Sequence, residues 1–258
     1  MARRKLVWGG EVILLLLCTF SKVSSEANVA WRKPTSQSSD FGGNWAASNV
    51  VDGCTESSAG CCTHTSGEGH KTAWWRVDLQ QLMTINRIQI IYRTGSKQRF
   101  GGYQLYLSNT TDSPAQGVLC YEDQSINEAD VQLNKEHQCP FVARYVTVYN
   151  YRNNPKRRFW YSNNAILELC EVMVFGCIVG RYGPGNDDCN NMCQGSCYGG
   201  NCNPKTGVCF YCETGKYGDF CNPDCPSNCK DNRCQKDGGD CFGMNRFTLN
   251  HNVFIIDN

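Results

Sequence analysis

Oxygen-bearing side chains and cysteines are concentrated in one stretch of the chain, Ala47 to Leu79. Within it, Asn49 and Asp52 lie close together before the turn residue Gly53. A short polar loop of this kind can hold a hard cation, because Ca²⁺ prefers carboxylate, amide and backbone carbonyl oxygens. The alternative is that both side chains only form an Asx-turn. The residues alone therefore allow two interpretations, a cation site or a turn with a purely structural role.

The same stretch contains a histidine, His64, which follows the pair Cys61-Cys62 and stands between two threonines. An imidazole has one donor and one acceptor nitrogen in its neutral form. In a loop held by cysteines it could present one of these nitrogens to a sugar hydroxyl. His64 is therefore a candidate binding residue.

Period-two alternation of apolar and polar residues predicts the elements that position these groups. It runs through Thr84–Arg93, Tyr103–Leu107, Tyr145–Tyr149 and Leu167–Phe175. Near the start, an edge-type segment from Asn28 is expected to end at Pro34 and a Ser-rich turn. Short β segments separated by Gly, Asn and Ser favour an antiparallel sandwich. We also expect its first and last segments to meet, since Cys62 and Cys170 could close the domain.

The N-terminus is typical of a secretory signal over residues 1–25. A basic start (Arg3, Arg4, Lys5) precedes the apolar run Val12 to Phe20 and a Ser-rich cleavage region. An N-terminal anchor is the alternative, but the run is short for a bilayer span. Cleavage after Ser25 removes four basic residues and one acidic residue, which changes the formal net charge from +1 to −2. Nothing in this balance favours a nucleic-acid partner. No second run of spanning length follows, so a secreted chain is expected.

The chain has 19 cysteines, of which Cys18 lies in the signal and 18 remain. An even number in an exported chain indicates disulfides. Six precede residue 177 and twelve lie between Cys177 and Cys241. This density change predicts a first domain over residues 26–176, a second region over 177–241 and a tail over 242–258. The first is long enough to bury a core, whereas the second needs its disulfides.

Several motifs in the first domain resemble the F-type lectin (fucolectin) domain, a relative of the coagulation-factor and discoidin jelly rolls. They are Asn-Val-Ala at 28–30, Ala-Ser-Asn-x-Val-Asp-Gly at 47–53, Cys-Thr-His-Thr at 62–65, Trp-Trp-Arg-Val-Asp-Leu at 74–79 and Leu-Cys-Glu-Val-x-Val-x-Gly at 169–176. The resemblance implies an all-β fold with a jelly-roll β-sandwich. It also implies a bound calcium ion and a shallow fucose site made by one His and two Arg.

Carried over residue by residue, the resemblance implies a ligand set for each site. The calcium ligands would be Asn49, Asp52, Cys54, Cys61, Cys170 and Glu171, with Cys61 and Cys170 acting through their carbonyls and Cys54 standing where the family usually has Asn. The sugar-binding residues would be His64, Arg93 and Arg99, with Lys97 as the second choice for the last position. Arginine suits this role because its fork donates paired hydrogen bonds.

The sequence departs from the family pattern after Arg93. Gly95 stands where the family has Asp, the second basic residue arrives one position early, and a vicinal Cys-Cys is absent. Without that Asp we expect Arg93 to be less preorganised. The alternative is that the domain has kept the fold of the family and no longer binds its sugar.

The resemblance also implies disulfides in the first domain. Cys62–Cys170 and Cys120–Cys139 match the family, and Cys54–Cys61 would be an extra local bridge, although six cysteines allow fifteen pairings. Asn109-Thr110-Thr111 is an acceptor sequence for an N-linked glycan. The run Lys156-Arg157-Arg158 before Phe159 is a basic–aromatic patch that could bind sulfated glycan, anionic lipid or protein, or be a solvated face.

In the second region the cysteine spacing repeats after 32 residues, from Cys189–Cys209 to Cys221–Cys241. The Gly-x-Tyr-Gly turns and the cysteine order resemble EGF-like and laminin-type EGF repeats of multiple-EGF-domain scavenger receptors. That resemblance implies the pairs Cys177–Cys189, Cys193–Cys202, Cys197–Cys209, Cys212–Cys221, Cys225–Cys234 and Cys229–Cys241. Zinc ribbons built on Cys209 and Cys212 would need a reducing compartment.

No catalytic motif such as Gly-x-Ser-x-Gly is found, so we predict a binding protein and not an enzyme. One hypothesis is a secreted, calcium-dependent lectin for terminal fucose on glycans, carried on an EGF-like stalk. Weak single sites would then gain avidity by oligomerisation. The other is a protein-contact module that recognises a cell-surface glycoprotein, the ectodomain fragment of a longer membrane receptor with a degenerate sugar site.

Overall fold

The structure, a computed structural model, describes residues 27–67, 69–183 and 189–242. The predicted signal (1–25) and the tail beyond Phe242 lie outside the described residues. The strands are β1 (Thr35–Gln37), β2 (Thr72–Tyr92), β3 (Gln104–Ser108), β4 (Val118–Glu122), β5 (Asn134–Gln138), β6 (Val142–Tyr151), β7 (Leu169–Ile178), β8 (Arg181–Tyr182) and β9 (Asn191–Met192). A single turn of α-helix, α1 (Lys97–Phe100), follows β2, and 3₁₀ turns occur at Ala47–Val51, Ala59–Cys61, Glu128–Asp130, Tyr198–Gly200 and Lys230–Asn232.

The long strand β2 joins the two layers of an antiparallel β-sandwich. Its first half pairs with β1 and β6, and β3 and β4 extend that layer. Its second half pairs with β5 on one side and β7 on the other. Between the halves the backbone bends at Gln80, whose φ is +68° and whose N–H donates to Asp78 Oδ1 at 2.7 Å. The predicted jelly-roll-type sandwich is confirmed.

Alternating burial along the strands explains why these segments form sheets. In β2, Trp75 and Val77 are fully buried while Trp74 and Asp78 are partly exposed. The inward-facing set forms one continuous core with residues of β3, β6 and β7. Burial of such apolar surface at about 25 cal/mol per Å² is the main source of stability.

The structure corrects the predicted strand list in two ways. β1 occupies 35–37, in the segment expected to be a Ser-rich turn after Pro34. β4 and β5 were not predicted. β5 (Asn134–Gln138) is polar throughout, and only His137 within it is buried, so its sequence has no alternation to detect.

The two ends of the sandwich meet, as expected. Val29 N–H donates to the Val174 carbonyl at 2.8 Å, and the Asn28 side chain accepts from Val174 N–H at 3.0 Å. The Cys62–Cys170 disulfide joins the same strand β7 to the loop before β2.

Disulfides organise the region after β7. The structure forms the eight pairs that the two resemblances imply and the extra bridge Cys54–Cys61, and Cys209 and Cys212 belong to two different bridges. The 32-residue repeat recurs in the fold, since the 3₁₀ turns Tyr198–Gly200 and Lys230–Asn232 occupy equivalent positions. The buried clusters of this region consist largely of cystine sulfur.

Among the described residues, no helix has the length and apolar character needed to cross a bilayer.

We predict that Gly176→Ala destabilises the sandwich. A Cβ at this position would clash with the Thr84 carbonyl oxygen and lie 2.9 Å from Ile85 Cα, where β7 packs beside β2. Overpacking of this kind costs about 1–3 kcal/mol. Chemical unfolding should show the loss, while Gly60→Ala, where a Cβ meets nothing within 4 Å, should change the unfolding free energy by less than about 0.5 kcal/mol. Equal effects of the two variants would contradict the packing argument.

Candidate functional site

Three neighbouring backbone segments bring His64, Glu168 and Arg93 onto one face. Thr63 N–H donates to the Leu169 carbonyl at 2.7 Å and Thr65 N–H to the Leu167 carbonyl at 3.0 Å, which places His64 opposite Glu168. On the other side, Arg93 N–H donates to the Glu168 carbonyl at 3.0 Å. Side chains directly opposite each other on paired segments share a face.

The Glu168 carboxylate is the centre of the site. Its Oε1 contacts Arg93 Nη1 and lies 3.1 Å from His64 Nε2, and its Oε2 lies 3.1 Å from Arg99 Nη1, an ion-pair contact. Glu168 is fully buried, whereas the arginine side chains are 32% and 33% exposed. Burial raises the pKa of Glu168, but hydrogen bonds from His64 and Ser96 and the charge of Arg99 lower it to about 2. The site therefore holds a buried anion beneath two accessible cations.

Arg93 has a carboxylate partner, Glu168, that the departure from the family pattern did not indicate. The family Asp is indeed replaced by Gly95, which lies in an open turn with φ of +83°. Glu168 supplies the missing carboxylate from the segment before β7 and pairs with Arg93 directly. A charge-assisted contact of this type orients the guanidinium as well as neutralising it.

A second buried arginine holds the helical turn that carries Arg99. Arg152 is 3% exposed, and its guanidinium donates to the carbonyls of Arg99 at 2.6 Å and Gly101 at 2.8 Å. Asn150 Nδ2 donates to the same Arg99 carbonyl at 2.8 Å. Burial lowers the pKa of Arg152 to about 10. Since one helical turn is unstable by itself, these bonds fix the position of α1.

Aromatic rings surround the imidazole. The rings of Phe41 and Trp45 have centroids 4.4 Å and 5.3 Å from that of His64, and Arg93 Cζ lies 5.6 Å from the Trp45 ring. His64 is only 5% exposed, while Phe41 is 58% exposed. His64 Nδ1 lies 2.5 Å from the Thr65 carbonyl oxygen, to which it donates, and Nε2 lies 3.4 Å from Arg99 Nη1. The accessible surface of the site thus consists of guanidinium and aromatic groups, with the imidazole behind them.

The predicted cation loop brings two carboxylates together. Glu171 is fully buried; its Oε2 accepts from Gly53 N–H at 3.3 Å, and its Oε1 has no hydrogen-bond partner among the described residues. Burial raises the pKa of Glu171 to about 8, and the charge of Asp52 adds to this effect. An orphaned carboxylate oxygen near a second carboxylate fits a bound cation.

Two of the other predicted ligands, Asn49 and Asp52, form hydrogen bonds within the loop. Asn49 Nδ2 donates to the carbonyls of Asn44 at 2.7 Å and Cys62 at 3.2 Å, so this amide also holds the loop. Asp52 Oδ1 accepts from Cys54 N–H at 2.8 Å, which is the Asx-turn. Within the described ranges no three His, Cys, Asp or Glu side chains form a metal-binding group. A cation here would therefore depend on carbonyls in addition to Asp52 and Glu171.

The cation loop and the arginine loop are in direct contact. Thr94 N–H donates to the Ser57 carbonyl at 3.0 Å, and the two hydroxyls lie 2.7 Å apart. Ser57 lies inside the loop closed by Cys54–Cys61, and Thr94 follows Arg93. The Cys54–Cys61 disulfide therefore stabilises a loop that is hydrogen-bonded to the residue after Arg93.

Comparison with known proteins places this site in a family. Residues 34–172, more than half of the chain, match the F5/8 type C domain. The chain belongs to the F5/8 type C domain family. It is 34% identical over 158 residues to Fucolectin-3 of Anguilla japonica, covering 58% of this chain and 79% of that protein. It is 32% identical over 159 residues to Fucolectin of Anguilla anguilla, covering 58% and 91%.

A solved fucolectin from striped bass (Morone saxatilis) serum is 28% identical, with a TM-score of 0.49. The match covers 59% of this chain and 49% of the bass chain.

Within this F5/8 type C domain, sequence reasoning missed Glu168, Phe41 and Trp45. Glu168 looked like an ordinary strand residue between Leu167 and Leu169. One signal was available in the sequence. Glu168 is the only charged residue of the apolar stretch over residues 165–170, and no basic residue lies beside it. A carboxylate buried in such a stretch needs partners from elsewhere in the chain. The aromatic pair lies in a Gly-rich turn, where the sequence pattern does not show which way a ring points.

We predict that Glu168→Gln lowers the unfolding free energy by about 2 kcal/mol, because hydrogen bonds to charged groups contribute about 1.5–3 kcal/mol. The neutral amide cannot compensate two guanidinium groups. Glu136→Gln is the matched control, since Glu136 pairs with Arg87 at 2.7 Å on the surface and such pairs contribute less than about 1 kcal/mol. Urea unfolding measures both. If Glu168→Gln cost no more than Glu136→Gln, the central role of Glu168 would be refuted.

Proposed function

We propose that this chain is an extracellular, calcium-supported lectin that binds terminal fucose-type sugars at the Glu168 cluster. The observation that carries the proposal is the convergence of His64, Arg93 and Arg99 on one buried carboxylate. Relatives named fucolectins are 34% and 32% identical to the chain over 158 and 159 aligned residues.

The two arginines supply the hydrogen-bond donors for the sugar. A guanidinium has five N–H groups. In Arg93 and in Arg99 only Nη1 contacts an acceptor among the described side chains, the Glu168 carboxylate. The remaining N–H groups belong to side chains that are one third exposed. They can donate to the ring oxygen and hydroxyls of one sugar without losing Glu168. His64, behind them, keeps Arg99 and Glu168 in place.

Phe41 and Trp45 supply an apolar platform beside these donors. The C–H groups on one face of a sugar ring pack well on an aromatic face, and a methyl group such as that of fucose adds apolar surface. Phe41 is exposed next to His64, and Trp45 lies next to Arg93. An apolar wall with a few placed donors is the usual composition of a small-ligand site.

Calcium is assigned to the loop of Asp52 and Glu171, with carbonyls of Asn49, Cys54, Cys61 and Cys170 as further ligands. When bound, calcium would supply positive charge beside the buried carboxylate of Glu171 and the exposed carboxylate of Asp52. Because Ser57 is hydrogen-bonded to Thr94, a calcium ion that restricts the motion of the first loop would also restrict the motion of the loop that carries Arg93. The disulfide-rich region after Cys177, proposed to be EGF-like, would act as a spacer, and several copies would be needed for avidity.

We expect Arg93→Ala and Arg99→Ala to reduce affinity for a fucose-terminated trisaccharide at least tenfold, or about 1.4 kcal/mol. Each substitution removes charged donors that no neighbour replaces. Isothermal titration calorimetry of the exported chain with calcium measures the effect. Arg144→Ala is the control, because Arg144 also pairs with a carboxylate, Asp78, at 2.7 Å, and is not part of the cluster.

Two results would refute the lectin proposal. One is wild-type protein that retains no fucose-terminated glycan on an array in the presence of calcium. The other is a loss of affinity that is equal for Arg93→Ala and Arg144→Ala. Either result would leave the protein-contact module as the better interpretation.

Calcium should raise the thermal midpoint of the wild-type chain, because a ligand that binds only the folded state stabilises it by about 2.7 kcal/mol at a hundred times its Kd. In Glu171→Gln the calcium-dependent rise should disappear, since the buried carboxylate is lost. Glu128→Gln, at an exposed position, should retain the rise. Differential scanning calorimetry with and without chelator gives the comparison, and an unchanged midpoint in the wild type would exclude the assigned calcium site.

A further inference from the structure

A second concave surface lies on the other side of α1 from Glu168. It is a cavity of about 460 Å³ between the ends of β4 and β6 and the loop over residues 154–161. Gly102, which follows α1, forms part of its lining. Its volume lies within the range of about 300–1,000 Å³ typical of small-ligand sites.

The walls of this cavity are held together before any ligand binds. Trp160 Nε1 donates to the Ile126 carbonyl at 2.7 Å, which ties the 154–161 loop to the loop after β4. Asp123 is buried and accepts from Gly102 N–H at 2.8 Å and from Ser125 Oγ at 2.7 Å. A preformed cavity avoids the entropy cost of ordering its walls on binding.

Aromatic rings line the cavity and continue from it across the sheet. Tyr151 and Tyr161 form part of the lining, and Tyr151 is 37% exposed. The Tyr149 ring stacks 6.4 Å from that of Tyr151, and the Tyr106 ring lies 6.2 Å from that of Tyr149. At the rim, Phe159 is 95% exposed. Tyr149 and Tyr151 stack at an interplanar angle of 27°, whereas Tyr106 meets Tyr149 edge-on at 79°. The apolar surface of the cavity therefore extends along the sheet to Tyr149, which suits a short chain of sugar rings.

Two acidic and two basic side chains line the cavity, so its charges balance, and its polar groups include both donors and acceptors. The four are Glu122, Asp123, Lys156 and Arg158. Glu122 accepts from Gln104 Nε2 at 3.0 Å and lies 3.6 Å from Lys156 Nζ, so these two charges offset each other. Both oxygens of Asp123 already have donors. Glu122 and Lys156 each have hydrogen-bonding capacity left. A neutral molecule with many hydroxyls can use such a mixture, whereas a phosphate or sulfate would need an excess of cations.

This cavity is separate from the Glu168 cluster. The buried Arg152 lies between them and binds the carbonyls of Arg99 and Gly101. Arg99 faces Glu168, while Gly102 faces the cavity. A sugar at one site would not displace one at the other.

We propose that the cavity at Tyr151, Tyr161 and Glu122 is a second carbohydrate site, which takes a neutral oligosaccharide that need not contain fucose. The inference goes beyond the lectin function assigned above and does not depend on the arginine cluster. One chain would then present two different sugar sites on either side of α1.

The test uses the exported full chain on an array of neutral, fucose-free oligosaccharides of glucose, galactose, mannose and N-acetylglucosamine. Free L-fucose is added in excess to fill the arginine site. We expect wild-type protein and Arg93→Ala to bind the same array members. Tyr151→Ala should bind them at least tenfold more weakly, and Tyr211→Ala, at an exposed tyrosine of the disulfide-rich region, should bind like the wild type.

Lys156→Ala provides a second variant that is safe for folding, since this side chain is 76% exposed. It should also weaken binding, with an unchanged thermal midpoint. The proposal is overturned if no fucose-free member binds, if L-fucose or Arg93→Ala removes the binding, or if only sulfated controls are retained. Loss of fucose binding alone would count against the first site and leave this one standing.

Discussion

The buried carboxylate of Glu168 is the interaction on which the candidate site depends. The two guanidiniums would repel each other or move into solvent without an anion between them. Glu168 can serve because Leu167 and Leu169 anchor its segment in the core while the hydrogen bonds to Thr63, Thr65 and Arg93 fix its direction. The arginines stay partly exposed, so the cost of burying charge falls mainly on Glu168, whose Oε1 contacts Arg93 and His64 and whose Oε2 has only the ion-pair contact with Arg99.

A second constraint joins this cluster to the carboxylate pair of Asp52 and Glu171. Glu168 and Glu171 lie in one segment with Cys170 between them, and Cys170 is bonded to Cys62, two residues before His64. The Cys54–Cys61 loop then reaches Arg93 through Ser57 and Thr94. The two carboxylate groups therefore depend on the same short backbone segments for their positions.

Much of the architecture and part of the site could be predicted from the sequence. Alternation located the strongly amphipathic strands, and the motifs around Asp52, His64 and Arg93 indicated which loops would meet. Glu168 could not be assigned, because its role depends on which segments become neighbours and not on its own spacing. The polar strand β5 and the short β1 were missed for the same reason, since each forms only because β2 offers an open edge. Phe41 covers His64 through a turn whose direction the sequence pattern does not specify.

The two halves of the chain are stabilised by different means, and this division bears on where binding sites can form. The sandwich has a continuous apolar core, so it can bury Glu168, Arg152 and Glu171 and hold them in fixed geometry. The region after Cys177 has mainly cystine in its interior and keeps most of its polar groups in water. Electrostatic contacts are weak there, because solvent screens them. Precise recognition of a small polar ligand therefore belongs to the sandwich, where the rim around α1 combines a rigid backbone, shielded charge and exposed aromatic faces.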